Sequence, residues 1–382
     1  MTRVRVLVVI TVFDGRDFVP RSIASAMRFD RRSVDIDVLV LDDCSPAPGW
    51  SEWLATYCES VGARYYRNPV NIGIVRNFNL GFRCGVEQAY DYILMANSDT
   101  IMAHNMVDSL VSAVETDPSI GSVTAWSNNV SLYSIPNECT EESLGDSSVV
   151  DWIGAELADE FGDSVLDVPA GTGFALFVPA RVLSDIGYLD SVFDRGYCEE
   201  TDWTLRSLEN GYRVVLGLGA FAYHVGGAST RLAGLIGPTE TSVLAHEAII
   251  DLRYPRFRDQ CDAFLASASL RDVEGRALHR LLGSSASTWG YDLEITTFFE
   301  AGHAGPRPLC WIDPHRPEQV NVWFRGFSRA YSLDEESLVD FLQRAFHRLP
   351  SHAIVSDVGA ADDLTEHLAM HGIPVRRAAE RG

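Results

Sequence analysis

The chain has 382 residues, 46% hydrophobic and 22% charged, the makeup of a globular protein with a sizeable core and longer than most single domains. Its formal charge is −22 and no lysine occurs, so all 31 basic side chains are arginine. The acidic surplus argues against a nucleic-acid backbone or an anionic membrane as partner, and the missing lysine excludes a phosphate loop that depends on one.

The seven cysteines are scattered and form no C-x-x-C pair, which fits reduced thiols in a cytoplasmic protein. The opening run VRVLVVITVF (residues 4–13) stops at Asp14 and Gly15 and reads as a first buried strand rather than a leader. No apolar run approaches the roughly 20 residues that span a bilayer.

From there strand and helix patterns alternate. Helical spacing marks 17–29, and DIDVLVLDD (35–43) is a second strand. A helix around 53–61, the short strand ARYYR, a helix over 74–89 and the strand YILMA (92–96) follow. A helix near 106–114 and a strand near 120–126 complete the alternation. Strands apolar throughout, separated by amphipathic helices, predict a mostly parallel α/β sheet covered on both faces, with ligands beyond the carboxyl ends of its strands. Residues 127–169 lose the pattern, which predicts a long binding loop or lid with short helical turns. GTGFALFVPARVLSDIG restores a strand and a helix; a helix over 200–210, the strand YRVVLGLG and a helix over 240–252 come next. Beyond about 268 the composition shifts, and RPLCWID, VNVWFRG, HAIVSDV and IPVRRA predict strands of a small appended α/β domain. The division expected is 1–262 and 263–382.

Three strand tips carry polar clusters: Thr11, Phe13 and Asp14; Asp42, Asp43 and Ser45; Asn97, Ser98, Asp99 and Thr100. Each alone is a turn or a helix cap, but in a parallel sheet the three share one edge. Gly15 alone follows the first strand, so the glycine fingerprint of dinucleotide binding is absent. Further on, GYCEETDW gathers Glu199, Glu200 and Asp202, read either as a solvated helix start or as a cluster for proton transfer. His224 in AYHVGG is open to a structural or a metal-binding reading.

In order, VITVFDG, VLDDCS, NPVNIGIVRNFNLGF, LMANSDT, GTGFALFVPARVLSDIGYLD, GYCEETDWTLRSLENGYRV and AYHVGGAS resemble the inverting glycosyltransferases of family 2, rhamnosyltransferases among them. The resemblance runs from residue 4 to about 230 and implies a GT-A-type fold. It implies that Asp43, Thr11 and Phe13 hold the nucleoside, and that NSDT, with Asn97 where relatives carry an acid, holds a divalent metal through Asp99. Glu200 falls on the family's base position, where relatives often carry Asp, with Glu199 and Asp202 positioning the acceptor or bracing the loop. His224 falls on a histidine that completes the metal site in some relatives, and Arg76 offers a phosphate contact or a helix-surface role. The implied cofactor is Mg²⁺ or Mn²⁺, the implied donor a UDP, dTDP or GDP sugar, and the implied acceptor a glycan or glycoconjugate. A sugar nucleotidyltransferase and a non-catalytic glycan- or partner-binding relative are the alternatives, the first lacking its glycine-rich basic loop here.

Overall fold

A computed structural model describes residues 3–135, 142–226, 242–296, 307–324, 327–334, 336–356 and 362–377. The chain divides into two compact units, Met1–Glu274 and Gly275–Gly382.

The first unit is built on a nine-stranded sheet. Its strands are β1 (Val4–Val12), β2 (Val34–Asp42), β3 (Arg64–Arg67), β4 (Tyr92–Asn97), β5 (Thr100–Met102), β6 (Ile120–Trp126), β7 (Val165–Asp167), β8 (Ala175–Pro179) and β9 (Arg213–His224). They run in the order β3-β2-β1-β4-β8-β6-β9-β5, with β7 also paired to β9. The long ladders β1 with β2, β1 with β4, β2 with β3 and β6 with β9 are parallel, and β8 is antiparallel to both its neighbours.

Val6 through Ile10 are fully buried, so both faces of β1 are covered. Leu7 and Val9 face a core made with α3 (Ile74–Glu87), α6 (Ala180–Ile186), α7 (Glu199–Glu209) and α8 (Ser242–Arg253), through Val75, Phe78, Leu183, Trp203 and Ile250. The alternate residues of β1 point the other way. Helix α1 (Val19–Met27) meets β1 and β2, α2 (Trp50–Val61) lies against β3, and α4 (Met106–Glu115) packs on β6 and β9. The expected α/β architecture is the one observed, and each predicted element through residue 126 is present within a few residues.

One expectation needs correction. Residues 127–169 are not a structureless lid: α5 (Ser147–Phe161) starts at Asp146, whose side chain accepts from the Ser148 N–H, and buries Val150, Ile153, Leu157 and Phe161. The acidic exposed side of this helix hid its apolar stripe. Residues 136–141 of that stretch lie outside the described ones.

After α8 come α9 (Phe257–Leu265) and α10 (Ala268–Trp289). The second unit has its own six-stranded sheet, ordered β13 (Phe327–Ser332), β12 (Gln319–Phe324), β11 (Leu309–Ile312), β10 (Asp292–Ile295), β14 (Ala353–Val355) and β15 (Val375–Arg377). Helices α11 (Leu338–Phe346) and α12 (Asp362–Met370) connect its later strands. Among the described residues no helix is long and apolar enough to cross a membrane.

Candidate functional site

Three parallel strands end level with one another. Thr11 on β1 pairs with Leu41 on β2 and with Asn97 on β4. The chain leaves β1 toward a neighbour on either side, so these tips frame the switch point where open α/β sheets bind ligands.

The two aspartates after β2 have different tasks. Asp42 is fully buried and accepts from the Ser45 N–H and hydroxyl at 2.9 and 2.6 Å, from the Ser51 hydroxyl at 2.6 Å and from the Tyr65 hydroxyl at 2.8 Å. It is a brace. Asp43 clamps the following loop, accepting from Asn68 Nδ2 and the Ile72 N–H on Oδ1 and from the Gly73 N–H on Oδ2, each at 2.9 Å. A carboxylate offers about four acceptor positions, so Oδ2 keeps one for a ligand. Thr11 is buried beside it, while Phe13 is partly exposed at the strand exit.

Beyond β4 the chain turns into β5, whose ladder with β9 begins with Thr100 opposite His224. This register brings Asp99 and His224 together, with 3.3 Å between Asp99 Oδ1 and His224 Nε2. The imidazole stacks on Phe174, ring centroids 5.3 Å apart, and its Nδ1 lies 3.3 Å from the Asn129 carbonyl. Both ring nitrogens thus face an acceptor, Nδ1 the Asn129 carbonyl and Nε2 a carboxylate oxygen. In the tautomer with its proton on Nδ1, His224 Nε2, buried and without a hydrogen bond, turns its lone pair toward that carboxylate. A proton or a metal ion reconciles the two acceptors.

The residues present fit a divalent metal. Imidazole ligands donate their second ring N–H to a carbonyl or carboxylate, as His224 does to Asn129. Two cis ligands of an octahedral ion bonded at about 2.1 Å stand roughly 3 Å apart, close to the observed spacing. Among the described residues no cluster of three or more His, Cys, Asp or Glu forms a metal cage. Two protein ligands leave room for phosphate oxygens and water, the usual manner of Mg²⁺. Asn97 gives its N–H to the Phe174 carbonyl at 2.9 Å, fixing the β4 tip to the 171–174 loop.

The carboxylates of α7 arrive through a bent approach. Gly196, Tyr197 and Cys198 have φ of +107°, +70° and +73°, a left-handed run that turns the chain sharply into the helix. Glu200 is partly exposed and lies on Gly173, where a Cβ would stand 3.2 Å from both Glu200 Cγ and Cδ. Burial raises its carboxyl above the usual range, against the opposing pull of the Glu200, Gly173 and Thr201 N–H groups. The N–H groups of the helix start therefore do not outweigh the effect of burial. Gly173 is followed by Phe174, which stacks on His224, so two consecutive residues carry Glu200 and the Asp99–His224 pair at one site.

Glu199 is 6% exposed, its Oε2 has no hydrogen-bond partner, and burial together with the Glu200 charge pushes its pKa up to about 8. Asp202, fully buried, is committed elsewhere. It pairs with Arg206 at 2.9 Å and with Arg253 at 2.7 Å, and accepts from the Tyr254 hydroxyl at 3.1 Å, locking α7 to α8. These bonds tie it to the α7–α8 junction. Arg76 is exposed and pairs with Asp194 at 3.1 Å. The Cys198 thiol is pushed up to about 12 by burial and its acidic neighbours, which leaves it inert.

Asn128 and Asn129 went unread in the sequence. Asn128 grips the His224 backbone from both sides, accepting its N–H at 2.7 Å and donating to its carbonyl at 3.1 Å, while Asn129 donates to the Val225 carbonyl at 3.1 Å. Gly226, at φ +81°, must be glycine, since a Cβ would fall 2.1 Å from Asn129 Nδ2. The only signal was SNN directly after a predicted strand. Gly227 lies outside the described residues.

Comparison with known proteins places this region. Residues 7–160 match the description "Glycosyl transferase family 2". The undecaprenyl-phosphate mannosyltransferase of Micrococcus luteus is 25% identical over 241 residues, 63% of this chain and 92% of that protein. Among solved structures, GalNAc-T7 with UDP, GalNAc and Mn²⁺ is similar with a TM-score of 0.49 at 13% identity, covering 72% of this chain and 54% of that one, just over half its length. The mannosyltransferase PcManGT from Pyrobaculum calidifontis, in complex with GDP-Man and Mn²⁺, gives a TM-score of 0.42 at 15% identity, over 76% of this chain and 84% of that one. The ordered motifs, the sheet that aligns them and the match over residues 7–160 together make the N-terminal region of this chain similar to glycosyltransferase family 2.

Proposed function

We propose that the chain is a divalent-metal-dependent inverting glycosyltransferase that moves a sugar from a UDP, dTDP or GDP donor to a hydroxyl of a glycan or glycoconjugate. The observation that carries this reading is the buried His224 Nε2 at the end of β9, facing Asp99 Oδ1 at 3.3 Å and stacked on Phe174, the neighbour of the Gly173 that supports Glu200.

Asp43, Thr11 and Phe13 hold the nucleoside, Asp43 through the acceptor position its loop leaves open. Asp99 and His224 hold Mg²⁺ or Mn²⁺, which when bound offsets the charge of the departing diphosphate in a protein that has no lysine to do so. Glu200 takes the proton of the acceptor hydroxyl as that oxygen attacks the anomeric carbon from the face opposite the diphosphate, inverting the centre. Its raised pKa brings it nearer to neutrality, where a base accepts a proton most readily in the transition state. Glu199, protonated at neutral pH, leaves one carboxylate charge rather than two beside the reacting centre.

The Micrococcus relative is named for transfer to undecaprenyl phosphate. A phosphate acceptor is already ionised and needs no base, whereas a carboxyl tuned upward suits a hydroxyl. Binding of UDP, dTDP and GDP with and without Mn²⁺, followed by transfer assays of the matching sugar donors, tests the reading. One nucleotide that stabilises the protein only with metal, losing that effect in Asp99→Ala, supports it, and the absence of any at millimolar concentration overturns it.

A further inference from the structure

The second unit holds a cavity of about 320 Å³ bordered by residues 288–291, Arg307 and residues 348–351. Its size lies at the lower end of the roughly 300–1,000 Å³ typical of small-molecule sites. None of the residues that line it is acidic, in a chain whose formal charge is −22.

Two guanidiniums border this space. Arg307 pairs with Asp292 at 2.6 Å and donates to the Tyr291 carbonyl at 3.3 Å, while its Nε is buried and has no hydrogen-bond partner. Arg348 is exposed, and its guanidinium donates to the Ala286 carbonyl at 3.4 Å, with no carboxylate paired to it among the described residues. A planar fork with donors to spare beside a second arginine is suited to bidentate recognition of an oxyanion. Thr288 and Ser351 add hydroxyls, and Trp289, 37% exposed, adds an aromatic surface on the same rim.

We propose that this cavity is a binding site for a charged sugar, its phosphoryl or carboxylate group held by Arg348 and Arg307 and its ring lying at Trp289. The inference is independent of the transferase reading, since it rests on residues of the second unit alone.

Hydrogen exchange on the full chain tests it, with glucose 1-phosphate, glucuronate, inorganic phosphate and neutral glucose as probes. Exchange in the peptides covering 286–291 and 347–352 slows with glucose 1-phosphate or glucuronate and is unchanged by glucose. Whichever of the two acts at lower concentration identifies the oxyanion. Arg348→Ala, an exposed change that spares the core, weakens the effect by about tenfold or more. No slowing with either charged sugar, equal slowing with glucose, or full binding by Arg348→Ala overturns the proposal. Inorganic phosphate acting as strongly as glucose 1-phosphate overturns its sugar component.

Discussion

Gly173 and Glu200 touch across the site: the glycine leaves room for a carboxylate side chain whose Cγ and Cδ would stand 3.2 Å from any Cβ at position 173, with Met95 Cε at 3.1 Å. Gly173→Ala therefore pushes the proposed base aside without removing it. We expect kcat to fall by about tenfold to a hundredfold with KM for the donor little changed, the signature of a misplaced group. A variant with wild-type kcat would separate Glu200 from the chemistry.

Replacing the base itself gives a different pattern. Glu200→Gln keeps the shape and the Gly173 contact but removes the proton acceptor. A loss in kcat of about 10²- to 10⁴-fold is expected, while calorimetry shows nucleotide binding intact. Equal losses in binding and turnover would point to a structural role.

Removal of the imidazole should act through metal affinity. In His224→Ala the Mn²⁺ concentration for half-maximal nucleotide binding rises by about 10- to 100-fold, and excess Mn²⁺ restores part of the activity. Asn128→Ala, which frees the His224 backbone, moves the same titration in the same direction by less. A metal curve untouched by His224→Ala assigns that histidine to packing on Phe174 alone.

Glu199 sets a pH signature for stability. Its folded pKa of about 8 lies above the ordinary glutamate value of 4.5, so the folded state retains a proton that the unfolded chain releases. The associated stability is complete below pH 4.5 and is lost as the pH rises through about 8. Glu199→Gln cannot ionise, so its unfolding free energy relative to wild type should climb between pH 5 and pH 9, by an amount on the order of a few kcal/mol at most. Parallel curves for the two proteins across that range would contradict the assignment.

The Asp202 pairs predict stability without chemistry. Asp202→Ala removes the carboxylate that Arg206 and Arg253 share, leaving Arg206 its Ile186 and Tyr188 carbonyls and Arg253 its Asp190 partner, and is expected to cost about 1–3 kcal/mol in urea unfolding. In the fraction that remains folded, the Mn²⁺ dependence of nucleotide binding should match wild type.

How much of this was readable in the sequence depended on locality. The strands ending at Val12, Asp42 and Asn97 were legible because continuous apolar runs and polar tips are local patterns, and a parallel sheet then aligns the tips without further information. Glu200 and Asp99 were legible as acids in motif context. What escaped depends on pairings between distant segments. Asn128 and Asn129 matter only because β6 delivers them beside the end of β9, and the Arg253 partner of Asp202 comes from α8, some fifty residues away. Helix α5 was obscured by its charged outer side, and β5 by its three-residue length.

The register that sets Thr100 opposite His224 has a consequence for how the protein matures. Strand β9 is the last to enter the first sheet, and with β5 it supplies both sides of the proposed cation clasp. A chain still being synthesised, or one trapped with β9 undocked, has the Asp99 side of that clasp but no imidazole to close it, and so is blind to the ion. On the proposed reading, affinity for Mn²⁺ serves as a certificate of completion, granted only when the final strand is in place.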